Sequence, residues 1–427
     1  MGAGKHVLLV AATTGYQAES FRRAAEGLGV RITLATDRCH KLPDPWGDNA
    51  IAVRFEDPKA ALEGVKQRGP YDGIVAAGDR AAVLAAAVAA ALKLNFHSPG
   101  AAALCHNKFA FKQVIAGAGL PAPWVKRFEA DKDNPVAAAA GVEFPCVLKP
   151  VLLSGSRGVI RANDAGEFAA AFERIRQLLA RPEIQQWKDD NARWILAEGY
   201  VPGSEFALEG WMEAGELRRF ALFDKPDKLA GPFFEESVYV TPSRQGVEQR
   251  ALIWDMVEAA ARAAGLGPGP IHAEIRLDGD TAYVLEVAAR PIGGLCSRAL
   301  RFRRAGDGAA AAGPWASLEA LLLRAALGEA LTPWQREERA AGVMMIPIGH
   351  SGVMEEVEGI EAARRVPGIE AVEITAKPGE PLTALPEGAS YLGFIFARTV
   401  TPELAEVALR DAHAKLSVRW RQALPVI

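Results

Sequence analysis

Cysteine is scarce in this chain. Only four occur among 427 residues, Cys39, Cys105, Cys146 and Cys296, far apart and without a CxxC pair. That argues against a disulfide framework and offers no spacing of the kind that holds structural zinc, so the four read as reduced, structural thiols. Histidine is sparse too, seven scattered residues, and any metal chemistry has to rest on carboxylates. Neither sign of charge dominates: 49 basic and 52 acidic side chains leave a formal net charge of -3. Such a balance supplies no general attraction to nucleic acid or to an anionic membrane. Long apolar runs are missing. The longest, residues 81–92, is mostly alanine and falls short of the roughly 20 residues that span a bilayer. At the N-terminus Lys5 and His6 lead straight into residues 7–12, with no room for a signal-peptide core and cleavage site. The expectation is a cytosolic protein with neither a membrane nor a nucleic-acid partner. No repeat of solenoid period is visible.

What is present is the composition of a folded protein, 50% hydrophobic and 24% charged. The length suits about three domains. The first hundred residues alternate short apolar strands (5–12, 31–35, 73–76) with an amphipathic helix (17–28), the pattern of a parallel, doubly wound sheet. Its first strand ends in Ala-Ala-Thr-Thr-Gly rather than GxGxxG, so a dinucleotide site there lacks its fingerprint. This unit reads as scaffold with a substrate-facing loop. From residue 106 the texture changes. A helix over 108–116 is closed by glycine and proline, and strands are expected at 146–149, 194–198, 205–211, 218–223, 271–277 and 283–287. Residues 301–313, rich in Arg, Ala and Gly, read as a mobile loop. A helix over 317–327, strands at 343–347, 369–375 and 391–397, and a helix over 402–416 complete the chain.

The densest chemistry lies between His272 and Gly294. Two strand-like runs flank Asp278-Gly-Asp280, which predicts a hairpin. A three-residue loop, 279–281, places Glu274 directly across from Glu286. Like charges facing each other across strands are destabilising unless a cation sits between them, and hard divalent ions such as magnesium take carboxylate oxygens of this kind. Val284-Leu285 and Val287-Ala288 flank Glu286 as they would in a buried strand, which a merely solvated hairpin does not require. Arg290 follows, and the Gly293-Gly294 turn can aim N–H groups at an anion. Carboxylates, an arginine and exposed amides together suit transfer of a phosphoryl group. Upstream, Lys149 ends an apolar strand and is capped by Pro150. The small residues Ser154-Gly-Ser-Arg-Gly158 follow, able to fold their N–H groups over phosphates. The run from Glu198 through Tyr200 and Val201 to Glu205 joins two strands, a place from which backbone groups can meet an adenine edge and a carboxylate can meet ribose hydroxyls. Lys108 opens its helix against the helix dipole, as a lysine does where an anion is bound.

The order of these landmarks, Lys108, Lys149, the glycine loop, Glu198 to Glu205, then Glu274 and Glu286, resembles the ATP-grasp superfamily over about residues 106–300. His272-Ala-Glu-Ile-Arg276 with Glu286-Val-Ala-Ala-Arg290 is similar to the dipeptide-forming L-amino-acid ligase branch. Met344-Met-Ile-Pro-Ile-Gly-His-Ser-Gly and Tyr391-Leu-Gly-Phe-Ile-Phe-Ala resemble the C-terminal domain of ATP-grasp carboxylate–amine ligases. The resemblance implies an α/β fold of three parts: an N-terminal Rossmann-like parallel-sheet domain (1–105), an ATP-grasp domain (106–335, with a lid at about 125–195) and a small C-terminal α+β domain (336–427). It implies ATP and magnesium, or manganese, as cofactors. Lys108, Lys149, Ser154, Gly155, Ser156 and Gly158 would then meet the phosphates. Glu198, the backbone of Tyr200 and Val201, and Glu205 would hold adenine and ribose. Glu274 and Glu286 would bind the metal, and Arg290 would neutralise the transferred group. By position alone the Gly293 and Gly294 amides, or Arg276, would stabilise the oxyanion; Glu236 and Tyr239 would face the substrates, a small carboxylate and an amine. Ala288 stands where many relatives carry a metal-binding asparagine, which removes one ligand. A biotin-carboxylase-like or purine-pathway enzyme is the rival within the superfamily, although the Asn-Pro-Arg usual in the former is here Ala288-Ala289-Arg290. A nucleotide-binding module without turnover is the rival outside it. A homodimer is the expectation from base rates alone.

Overall fold

The computed structural model describes residues 4–12, 16–37, 49–306 and 315–421. The four strands Ala50–Ala52, Arg31–Thr36, His6–Ala11 and Gly73–Ala77 lie side by side in that order, all parallel. They are buried almost without a break, as strands covered on both faces must be. His6–Ala11 pairs with a neighbour on each side, so the strand order reverses there. At such a switch point the carboxyl ends of the strands leave a crevice in which ligands bind. The Thr13-Thr14-Gly15 end of the first strand, the loop expected to face substrate, lies outside the described residues, as does Cys39. The other three cysteines are buried and unpaired, and burial pushes the Cys105 and Cys146 thiols up to about 12. No helix among the described residues is long and apolar enough to cross a membrane.

A second sheet is antiparallel: Val125–Glu129, Trp194–Gly199, Cys146–Pro150 and Ile160–Ala162, in that order. With the helix Ala165–Leu179 it encloses its own core around Phe168, Phe172 and Ile175. The third and largest sheet has eight strands, ordered Thr281–Ala288, Gly269–Asp278, Ser204–Glu213, Glu216–Lys225, Val238–Thr241, Ala340–Ile346, Gly393–Thr399 and Ile369–Ile374. Its first five strands come from residues before 336 and its last three from residues after it, and they form one continuous sheet. Even-numbered residues of the strand Ser204–Glu213 (Phe206, Leu208, Met212) pack with Ile253, Trp254 and Val257 of the helix Val247–Ala263. Odd-numbered residues face the other way.

One expectation is corrected. Arg301–Arg304, read from composition as the start of a mobile loop, is a strand paired with Ala316–Ser317 and Trp334–Arg336. Phe302 is buried in the core while the arginines on either side remain partly exposed, a two-residue alternation that charge-rich composition masked. Residues 307–313 of that stretch lie outside the described ones.

Gly203 enters the strand Ser204–Glu213 at φ +93°, and a Cβ there would stand 2.1 Å from the Leu277 carbonyl oxygen. Gly215 also has a positive φ (+81°) but nothing within 4 Å. Gly203→Ala is therefore expected to cost about 3 kcal/mol or more, since it adds a backbone clash to strain, and Gly215→Ala about 1 kcal/mol. Denaturant titration of both variants checks the ranking. Equal losses would show that the contact at Leu277 relaxes freely.

Candidate active site

The odd-numbered face of the strand Ser204–Glu213 carries Glu205 and Glu209, and its neighbours set opposite charges across from them. Arg276 and Lys225 both pair with Glu205, and His272 pairs with Glu209. All five are buried. The Arg276 Nε donates to Glu205 at 2.8 Å and the Lys225 ammonium to its other oxygen at 2.7 Å. Lys225 also donates to Glu236 at 2.7 Å and lies 3.3 Å from Glu274. Glu205, Glu236 and Glu274 offer oxygens within 4.8 Å of one another, a grouping that could hold a cation, and Lys225 stands among all three. Burial lowers the affinity of Lys225 for its proton, but the three carboxylates outweigh it and hold the ammonium charged well above its ordinary range. Glu209 bonds the His272 ring at 2.5 Å and accepts the Ile292 N–H at 3.0 Å, which ties the turn ahead of Gly293 to the sheet. Burial opposes a charge on His272, yet Glu209 overrides it and raises the imidazole to about 9.

The hairpin brings Glu274 and Glu286 opposite each other, as expected, but by another route. Asp278 pairs with Thr281, so the turn has two residues, with Gly279 at φ +56°. A bulge between Glu274 and Ile275, accommodating Leu285, then restores the pairing. Both carboxylates line the same cavity, of about 670 Å³. Glu286 lies 3.3 Å from the Lys108 ammonium, and Glu274 lies 3.6 Å from His272 Nε2. The two facing carboxylates offer the oxygens that a hard divalent cation takes, and here the Lys108 ammonium and the charged His272 ring balance them.

Asn107 decides where the lysines stand. It ends the helix Pro99–His106 and caps the next, Lys108–Gly117, by accepting the Ala110 N–H at 3.0 Å. Lys108 and Lys112 therefore lie one turn apart on one face. Lys108 reaches the cavity and donates to the Leu153 carbonyl at 2.7 Å. Lys112 is fully buried, 3.0 Å from the Val284 carbonyl and 3.5 Å from Glu198. Burial brings its ammonium down to about 8 against the pull of Glu198. From the neighbouring sheet Lys149 donates to the other Glu198 oxygen at 2.6 Å. Burial would raise Glu198, but Lys112 and Lys149 prevail and keep its carboxyl below the usual range.

Arg290 also lines the cavity. Its Nε and one terminal nitrogen grip the Asp79 carboxylate at 2.8 and 3.1 Å, across from the N-terminal sheet. Burial opposes both charges, yet the pair holds the Asp79 carboxyl low and the Arg290 guanidinium high. Ser154, Gly155, Ser156, Tyr200, Val201, Gly293 and Gly294 line the same cavity, and Gly158 stands beside it with Pro150 within 2.8 Å of any Cβ it might carry. The Tyr200 N–H donates to the Pro145 carbonyl, and the Val201 carbonyl accepts from Arg276. Tyr239 donates to Glu236 at 2.8 Å, and both face the cavity. Arg276 lines the cavity as well, and its guanidinium donates to Glu205 and to the Val201 and Leu229 carbonyls, which braces the cavity wall.

Three family models match successive stretches: an ATP-grasp N-terminal domain over residues 21–95, an ATP-grasp domain over 142–299 and an L-amino acid ligase C-terminal domain over 344–421. The chain belongs to the ATP-grasp superfamily. Its fold is similar to that of an L-amino acid ligase from Bacillus licheniformis, with a TM-score of 0.81 and 27% identity, covering 99% of this chain and 100% of that one. It is 30% identical to a D-alanine–D-alanine ligase of Aromatoleum aromaticum, over 47% of this chain and 62% of that one. A dapdiamide A synthase of Enterobacter agglomerans is 25% identical over 59% of this chain and 60% of its own. The chain thus spans less than two thirds of the length of these curated relatives.

The residues of this ATP-grasp site that sequence reasoning missed are Asp79, Lys112, Glu209, Lys225 and, as a charged group, His272. Glu236 is the one whose behaviour depends most on that company. Burial and the neighbouring Glu274 push its carboxyl up to about 7 from 4.5, against the pull of Lys225. Between those values the folded chain keeps a proton that the unfolded chain has released. Glu236 therefore makes the fold progressively less stable as pH rises from about 4.5 to about 7. Glu236→Gln is expected to remove that slope. Unfolding midpoints taken from about pH 5 to pH 8 should show the variant gaining on the wild type as pH rises. Parallel curves would mean that Glu236 ionises as an ordinary carboxylate.

Proposed function

We propose that this protein is an ATP-dependent ligase that joins a carboxylate, an amino acid, to an amine through an acyl phosphate, releasing ADP and phosphate. The observation that carries the reading is convergence. One cavity is lined at once by Lys108, Lys149, the glycine loop, the facing Glu274 and Glu286, and Arg290. Similarity to an L-amino acid ligase over the whole chain supports the choice of substrates. In this reading Lys108 and Lys149 hold the phosphates and the N–H groups of residues 154–158 cover them. Glu198 acts through the lysines it grips, while the Tyr200 carbonyl and the Val201 N–H, not used in the bonds described above, meet adenine, and Glu205 faces the ribose. Magnesium, or manganese, held by Glu274 and Glu286 would offset charge on the phosphate oxygens.

The substrate carboxylate attacks the γ-phosphorus and ADP leaves. Arg290, held in place by Asp79, offsets the charge on the transferred group. The amine then attacks the acyl carbon, and phosphate departs as the amide forms. Gly293 and Gly294 N–H groups stand where the oxyanion develops. Glu236 and Tyr239, joined by a hydrogen bond, face the substrates from the strand edge. An acyl phosphate is open to hydrolysis, so the chemistry calls for a cavity closed to water. We place the protein in the cytoplasm, where ATP and amino acids are available.

Purified protein given magnesium-ATP with pooled amino acids and small carboxylates is expected to yield ADP together with a new amide, both read by mass spectrometry. AMP in place of ADP would overturn the acyl-phosphate route, and bicarbonate-dependent ADP formation without an amide would favour the carboxylase reading. Glu286→Gln should lower ADP formation by at least about 100-fold with an unchanged circular-dichroism spectrum. Near-normal turnover in that variant would remove Glu286 from the metal site.

A further inference from the structure

We propose that residues 384–391 form a strap that couples closure of the glycine loop to closure of the substrate wall, with Glu387 as its positioning residue. The inference rests on the acyl-phosphate reading above. The sheet that carries the glycine loop has its own hydrophobic core, separate from those of the large sheet, so it is built to move as a unit. Residues 384–391 tie it down. The Gly158 N–H donates to the Pro386 carbonyl at 2.7 Å, and Arg157 Nε donates to the Glu387 carbonyl at 2.9 Å. The Glu387 carboxylate takes the guanidinium fork of Arg174, on the helix Ala165–Leu179, with one arm at 2.9 Å. Arg157 is itself braced by Glu183 at 3.0 Å. The strap thus holds the main chain of the loop, a side chain of the loop and the helix behind it.

Its other end faces substrate. Ala389 and Tyr391 line the same cavity as residues 154–157. The Tyr391 ring meets Phe394, whose ring meets Tyr16 edge-on at 5.2 Å, so the strap ends in an aromatic wall. Its first half, residues 384–388, is braced. The Gly388 N–H closes a turn onto the Ala384 carbonyl at 2.9 Å, and a Cβ on Gly388 would stand 1.8 Å from the Thr383 oxygen. Ser351 Oγ accepts the Ala384 N–H at 3.0 Å. Glu387 lies in this braced turn, two residues before Ala389 and four before Tyr391, so the chain itself carries its movement toward them. Pulled shut, the strap closes the cavity at the phosphates and at the acyl carbon together. Released, it admits water, which adds to the acyl carbon, expels phosphate and regenerates the carboxylate with ATP consumed and no amide made.

The test is the yield of amide per ADP in the wild type, in Glu387→Ala, in Arg174→Ala and in the charge-swapped double variant E387R/R174E. A partly exposed ion pair supports a change of about two- to fivefold. Each single variant should lower the yield by that factor, and the swap should restore it. Singles that melt earlier but keep a full yield would reduce Glu387 to a structural contact and overturn the proposal. Should no substrate pair give ADP, the ligase reading fails separately, and the strap is judged by amide hydrogen exchange over residues 154–158 with a non-hydrolysable ATP analogue bound. Faster exchange in the single variants with recovery in the swap supports the strap, and unchanged exchange overturns it.

Discussion

The register of the strand Ser204–Glu213 is the constraint on which the site depends. A slip of one residue would turn Glu205 and Glu209 toward the helix Val247–Ala263 and bring Phe206, Leu208 and Met212 into the cavity. Each buried carboxylate stripped of its partner costs several kcal/mol, and each large apolar side chain left in water about 1.5–3 kcal/mol. The native pairing avoids both at once. It sets Arg276 and Lys225 across from Glu205 and His272 across from Glu209, so each of five buried charged groups gains an opposite partner from register alone. A buried pair of this kind adds little to stability against an apolar replacement, but losing one partner leaves an uncompensated charge. Here the pairs fix where the cavity floor lies.

That arithmetic also explains how the separate parts meet. Glu198 stands on the sheet that carries the glycine loop, Lys112 on a helix beneath it and Lys149 on the next strand, and a single carboxylate joins all three. Asp79 does the same between the N-terminal sheet and Arg290. Asp79 begins its helix immediately after Gly78, at the carboxyl end of Gly73–Ala77 beside the switch point, where a parallel sheet leaves its crevice. The N-terminal unit, which carries no nucleotide fingerprint of its own, thereby contributes to the site by holding an arginine from another domain.

Much of this was legible in the sequence because it is local. Lys149 at a strand end, Lys108 at a helix start and the glycine loop each announce themselves within a few residues. The facing of Glu274 and Glu286 was also legible, although the compensation of a shorter turn by a bulge was not, since periodicity does not reveal where an extra residue is taken up. The missed groups share one property. Asp79 and Arg290 are more than two hundred residues apart, and Lys225 meets its carboxylates only after three strands have paired. Lys225 also lay beyond the expected end of its strand at 223, whereas the strand continues to it. The bonds of Arg276 to the Val201 and Leu229 carbonyls were illegible for the same reason.

The sum of these placements gives the cavity two poles. Lys108, Lys149 and Arg157 line one, together with Glu198, and Glu205, Glu236 and Glu274 line the other around Lys225. At the first an anion such as a triphosphate meets lysines already paired with Glu198 and Glu286, and at the second Lys225 and Arg276 balance the carboxylates. Arg290 stands with Glu286 among the residues lining the cavity alongside both groups. In the proposed reaction negative charge leaves the first pole with the phosphoryl group, passes Arg290 and is met beyond it by an amine. The charged groups that the proposed reaction uses are therefore held in place before any substrate enters. Such preorganisation lets charge move without reorganising the site around it.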